Sequence, residues 1–147
     1  MKCTAKRFLI ALVLLFVTGT SAWAAKLELD GVENRVIENK NFSSGIVKNC
    51  KNITIRNCLF DHVPAGPVDL QFHDCSGIVV EDCEMDGHSN CADGITFWNS
   101  NDIVVRRCKV HDHGNDGIKF KGKNHDILLK DNEIWGMYSK SIFGRNG

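Results

Sequence analysis

Asp93 and Asp116 each stand directly before Gly-Ile, at one position of a sequence that repeats about every twenty-five residues. If successive copies stack one strand spacing apart, the two carboxylates lie about 4.8 Å from each other. Two carboxylates at that separation, with Asp86 and Asp112 in the neighbouring loops, suit a hard oxygen-seeking cation; calcium is the ion expected. A transition metal held by Asp and His is the alternative, although the spacing fixes no ring of three histidines. Asp61, His62, His88, His111 and His113 fall in the same loops. Lys119 and Lys121 follow Asp116 at outward strand positions, where a lysine can take or give a proton. His73, Trp98 and Arg145 occupy the equivalent outward positions and are candidate ligand contacts, Trp98 by offering a flat apolar face for a sugar ring. Each of these residues also has an ordinary use. Asp, Gly and His form turns, outward Lys and Arg keep a strand face solvated, and a single exposed aromatic needs no explanation.

The elements that must position these residues are written in the repeat. Ile53-Thr-Ile-Arg-Asn-Cys-Leu-Phe60 returns as Ile78-Val-Val-Glu-Asp-Cys-Glu-Met85 and as Ile103-Val-Val-Arg-Arg-Cys-Lys-Val110. It returns once more as Ile127-Leu-Leu-Lys-Asp-Asn-Glu-Ile134. Apolar residues alternate within each copy (Ile53 and Ile55, Ile78 and Val80, Ile103 and Val105), which is the period of a β-strand. A polar pair breaks the alternation, and a second short strand carries Phe60, Met85, Val110 and Ile134 inward. After a variable loop, a third strand carries Leu70 and Phe72, then Ile95 and Phe97, then Ile118 and Phe120. Three short strands and three bends per repeat predict an all-β, single-stranded parallel β-helix, a solenoid of about five coils. No helical stretch of the length a βαβ unit needs survives the Gly, Asn and Asp spacing.

These copies, together with Asp93-Gly-Ile and Asp116-Gly-Ile, resemble the parallel β-helix repeat family of pectate lyases, other polysaccharide lyases, polygalacturonases and mannuronan epimerases. The resemblance covers roughly residues 34 to 147 and implies right-handed coiling. It also implies a carbohydrate-active protein and an acidic polysaccharide as partner, with calcium bridging uronate groups to Asp93 and Asp116. If the chain is a lyase, β-elimination needs stabilisation of the enolate and a base for the C5 proton, for which Lys119 or Lys121 is expected. The paired-aspartate signature of polygalacturonases is absent, as are the Asp-Pro-His-Glu run of the epimerases and the lyase Arg-x-Pro-x-x-Arg stretch. The alternatives are a non-catalytic glycan- or protein-binding repeat module and an inactive piece of a longer β-helix.

Residues 1–24 read as a cleaved signal peptide: Lys2, Lys6 and Arg7, an apolar run from Phe8 to Val17, then Ala22-Trp23-Ala24. A secreted or periplasmic β-helix domain over residues 25–147 is expected, with no membrane span after processing. Without the three leader cations, fifteen basic residues face eighteen acidic ones. That balance gives no basic surplus for a nucleic-acid backbone. Cys58, Cys83 and Cys108 share one repeat position and are expected to form a buried ladder; Cys50 and Cys75 share another, where a disulfide and an unbridged ladder are both open. The last copy ends without a cap, so the chain is expected either to be truncated or to present that edge to a partner by end-to-end self-association.

Overall fold

The repeat folds as sixteen strands in three parallel sheets, with no helix among the described residues. The computed structural model describes residues 25–61, 68–89, 93–137 and 140–145. The expected leader, His62 and Cys91 lie outside them. Sheet 1 holds β1 (Lys26–Asp30), β4 (Ser44–Lys48), β7 (Val68–His73), β10 (Asp93–Trp98), β13 (Asp116–Lys121) and β16 (Lys140–Arg145). Sheet 2 holds β2 (Glu33–Glu38), β5 (Lys51–Arg56), β8 (Ser76–Glu81), β11 (Asn101–Arg106) and β14 (His125–Lys130). Sheet 3 holds the short strands β3 (Asn41–Phe42), β6 (Leu59–Asp61), β9 (Glu84–Asp86), β12 (Lys109–His111) and β15 (Glu133–Trp135). The segment from Lys26 to Phe42 is a full coil in register with the next one.

In-register stacking turns the alternation of each strand into columns through the interior. Ile53, Ile78 and Ile103 form one, fully buried. Phe72 stacks on Phe97 at 4.8 Å between ring centroids, and Phe97 on Phe120 at 5.4 Å. Phe60, Met85 and Val110 close the third side. Offset aromatic stacks of this kind add to the free energy of burial, which is why like residues recur from coil to coil.

Two of the three corners are built to a fixed size. Sheet 2 passes to sheet 3 through two residues in every coil, and sheet 1 passes to sheet 2 through two or three. The first residue of each bend is in the left-handed region: Gly31, Asn49, Asp74, Asn99 and Gly122 at one corner, Asn39, Asn57, Asp82, Arg107 and Asp131 at the other. Asn and Asp tolerate that conformation because their short side chains bond locally. Arg107 is the exception, and its guanidinium is engaged by Asp82 at 2.7 Å and Glu81 at 3.2 Å. In the three central coils the second bend residue points inward. There the cysteines do more than fill space: Cys58, Cys83 and Cys108 each donate their thiol to the carbonyl two residues earlier, at 3.2–3.4 Å. Cys50, Cys75 and Ser100 do the same at the other corner. Asn132 and Asn124 end the two ladders with amide donors. All five described cysteines are free thiols, so Cys50 and Cys75 are an unbridged pair.

The third corner, from sheet 3 back to sheet 1, has no fixed length. It takes one residue after β3, six after β6 and β9, and four after β12 and β15. The chemistry-bearing residues gather at this corner and on the outer face of sheet 1.

Candidate functional site

Asp93 and Asp116 are register partners on β10 and β13, as the repeat requires, and both are almost fully buried. The ammonium of Lys119 lies between them, 2.9 Å from Asp93 Oδ1 and 2.7 Å from Asp116 Oδ2. Asp116 and Lys119 are three residues apart, a spacing that a regular strand would send to opposite faces. The alternation slips just before it, at the Gly-Ile step. A Cβ at Gly94 would lie 2.5 Å from Val110 Cγ1 in the core, so Gly94 faces inward next to the inward Ile95. That slip turns the aspartates outward, within reach of a lysine from the outer face. Burial alone would push Lys119 down, but the hydrogen bonds and charges of Asp116 and Asp93 outweigh it and hold the lysine above its ordinary range. The pair expected to hold calcium is thus already bridged by a cation of the chain, and Lys119 is held in its protonated form. An added calcium ion would have to displace the ammonium; the donor set as arranged fits the lysine.

Asp86 and Asp112, the other two acids expected at that ion, lie elsewhere. They meet His111, and the ligand atoms of the three residues all lie within 4.8 Å of one another. Asp61, Asp86, His111 and Trp135 occupy one column at the ends of the sheet 3 strands. The His111 ring stacks on Trp135 at 4.4 Å, and its side chain is only 10% exposed. Its Nε2 lies 3.1 Å from Glu84 Oε1; its Nδ1 lies 2.9 Å from Asp112 Oδ2 and 3.8 Å from Asp86 Oδ1. Burial opposes charging of the ring, yet its hydrogen bonds to Asp112 and Glu84, with the charge of Asp86, raise its pKa. His88 adds a second imidazole, 2.5 Å from Asp61 and 3.6 Å from Asp86.

His113, two residues on, turns the opposite way. It is completely buried, and its Nε2 lies 3.6 Å from the equally buried carboxylate of Asp69. Two glycines leave the room for it: a Cβ at Gly87 would sit 2.5 Å from His113 Nδ1, and one at Gly94 would sit 2.8 Å from Nε2. Burial drives its pKa down to about 4. Gly94→Ala is expected to cost about 1–3 kcal/mol of stability, because the methyl would also meet the Gly117 carbonyl at 2.6 Å, a backbone atom that cannot swing aside. A shift in the urea midpoint of that variant, at unchanged slope, would measure the cost.

On the outer face of sheet 1, Lys48, His73, Trp98 and Lys121 form one column, with the backbone of Arg145 at the next position. Only the backbone placement of Arg145 is described. His73 stacks on the indole of Trp98 at 4.4 Å, and Lys121 Nζ sits 4.5 Å from the ring centroid on the side of the following coil. Both faces of the ring expected to receive a sugar are therefore covered by neighbours, and a ligand would meet its edge and the two flanking cations. Thr96, the register partner of Lys119, is fully buried. The sequence placed Lys119, Lys121, Trp98 and His73 on one face and brought Asp93 to Asp116. It gave no sign of the parting of Asp86 and Asp112 from that pair, or of the parts played by Glu84 and Trp135. Two signals were present: an acid at position 69 in a strand start, and Gly at 87 and 94 beside a loop histidine.

A family model described as the right-handed beta helix region matches residues 44–146. No curated protein and no solved structure matches the chain. The matched span covers four of the five complete coils and the strand that follows them, and it agrees with the three parallel sheets and their registers. The chain belongs to the right-handed β-helix family.

Proposed function

We propose that this β-helix repeat protein is an exported, carbohydrate-active chain that binds an acidic polysaccharide along the outer face of sheet 1. The observation that carries the reading is the column Lys48–His73–Trp98–Lys121, in which cations flank an aromatic pair in register. Rungs about 4.8 Å apart give a straight, positively charged strip close to the repeat of an extended polymer. Carboxylates along such a polymer would pair with Lys48 and Lys121, while ring C–H groups would pack on the exposed edge of Trp98. The backbone of Arg145 stands at the next position of that column.

Affinity for oligogalacturonate and alginate oligomers tests the proposal. Trp98→Ala and Lys121→Ala are each expected to weaken binding about tenfold, or about 1.4 kcal/mol. Equal binding of a neutral glucan, or none of either acidic polymer, would sink it. Calcium is expected to leave the affinity of the unaltered protein unchanged, since Lys119 already compensates Asp93 and Asp116. Stronger binding with calcium that disappears on chelation would restore the ion to that pair. A lyase is the finer version of this reading. It would use Lys121 as base rather than Lys119, which is tied to two carboxylates. Unsaturated product appearing in the absorbance of a polygalacturonate or alginate incubation, and lost in Lys121→Ala, would establish it.

A further inference from the structure

We propose that Asp86, His111 and Asp112 form a binding site for a first-row divalent metal of the zinc class, at the ends of the sheet 3 strands and separate from the polysaccharide strip. Both nitrogens of His111 face carboxylates: Nε2 faces Glu84 at 3.1 Å, while Nδ1 faces Asp112 at 2.9 Å and Asp86 at 3.8 Å. A neutral ring has one N–H to give, so one nitrogen presents a lone pair to negative oxygens unless a second proton or a metal cation stands there. With the proton on Nε2, donated to Glu84, the bare Nδ1 faces Asp86 and Asp112, and the ligand atoms of the three residues lie within 4.8 Å of one another. That is the arrangement of a metal-binding histidine, whose other ring nitrogen is normally held by a carboxylate that fixes its tautomer and orientation.

The ring is also held from the side. It stacks on Trp135 at 4.4 Å and is 10% exposed, so its plane is fixed before any ion arrives. Asp86 and Asp112, at 26% and 45% side-chain exposure, leave the cluster open to entry from solvent. His88, at 3.6 Å from Asp86 Oδ2, stands near enough to the cluster to add a second imidazole by a rotation of its side chain. One or two imidazoles with two carboxylates favour zinc, cobalt or nickel over calcium, which prefers six to eight oxygens. The Asp93–Asp116 pair lacks this character because Lys119 already lies between its carboxylates.

The test is titration of the chelator-treated, full-length protein with zinc chloride, followed by calorimetry, and with cobalt chloride, followed by its visible absorption. One saturable zinc site is expected, with calcium at least tenfold weaker, and cobalt bands of a site that includes nitrogen. His111→Asn and Asp112→Asn are each expected to weaken zinc at least tenfold and to remove or shift the cobalt bands. Lys119→Arg, at the other acid cluster, is expected to leave zinc binding unchanged. Thermal melts of the metal-free variants identify any that fail to fold, and Asp112→Asn, which leaves the His111–Trp135 stack in place, keeps the test available in that event. Absence of saturable zinc binding, calcium as tight as zinc, or zinc binding undiminished in both folded variants would overturn the proposal.

Discussion

Replacing Lys119 by methionine is expected to lower the free energy of unfolding by about 3–5 kcal/mol, the cost of leaving buried carboxylates without their cation. Lys119 is 12% exposed, and Asp93 and Asp116 are 6% and 5% exposed. Methionine preserves most of the length of the side chain, so the loss reports charge rather than volume. Urea unfolding at neutral pH measures it, and Asp93→Asn in the same background should recover part of the loss, since one of the two stranded charges is then gone. Recovery in the double variant separates an electrostatic bridge from simple packing; additive losses would contradict the bridge. The pH dependence has a definite sign. A lysine raised above its unfolded value contributes stability that is fully present below the unfolded pKa, near 10.4, and is lost as pH rises through the folded one. Lys119→Met should therefore flatten the alkaline fall in stability while leaving the acid side to other groups.

The second large effect lies on that acid side. His113 is held down to about 4 from an ordinary 6.5, so between those values the unfolded chain binds a proton that the folded chain refuses. Its contribution is intact above pH 6.5 and is lost as pH falls towards 4, to the extent of about 3 kcal/mol. His111, whose pKa is raised, acts in the opposite direction: it favours the folded state at low pH and loses that contribution as pH rises through its folded pKa. His113→Asn is expected to be less stable at pH 7, where its smaller side chain leaves a gap against Gly87 and Gly94. Between pH 6.5 and 4, however, its stability should fall by about 3 kcal/mol less than that of the unaltered protein. Parallel acid profiles for the two proteins would show that His113 takes up a proton while folded.

Much of this was legible in the chain, for a physical reason. A solenoid repeats its environment every coil, so the residue types that suit the environment repeat too: Ile53, Ile78 and Ile103 mark a column by their spacing alone. The registry was accurate enough to set Asp93 on Asp116 and Trp98 on Lys121. What could not be read was the direction of a side chain where the alternation slips. Lys119 reaches Asp116 only because the Gly-Ile step puts two inward residues in succession. His111 and His113 are separated by one residue, yet one faces solvent-side acids and the other enters the core. The cysteines were legible as a buried ladder, but their work as bend donors depends on a carbonyl two residues back, and no residue type encodes that. Only the equivalence of Ser100 with Cys50 and Cys75 hinted at it.

The unequal corners bear on how such a chain can change over generations. An extra residue in the bends between sheets 1 and 2, or 2 and 3, would displace a left-handed Asn or Asp and turn every later side chain of that strand to the wrong face. The one three-residue bend, Gly122-Lys123-Asn124, sits at a place where an amide has taken over the thiol's donor role. The remaining corner already tolerates anything from one to six residues without disturbing the columns on either side. Insertions, duplications and new reactive groups can accumulate there while the rest of the coil stays under purifying constraint, so homologues of this chain should differ in length almost wholly at that edge.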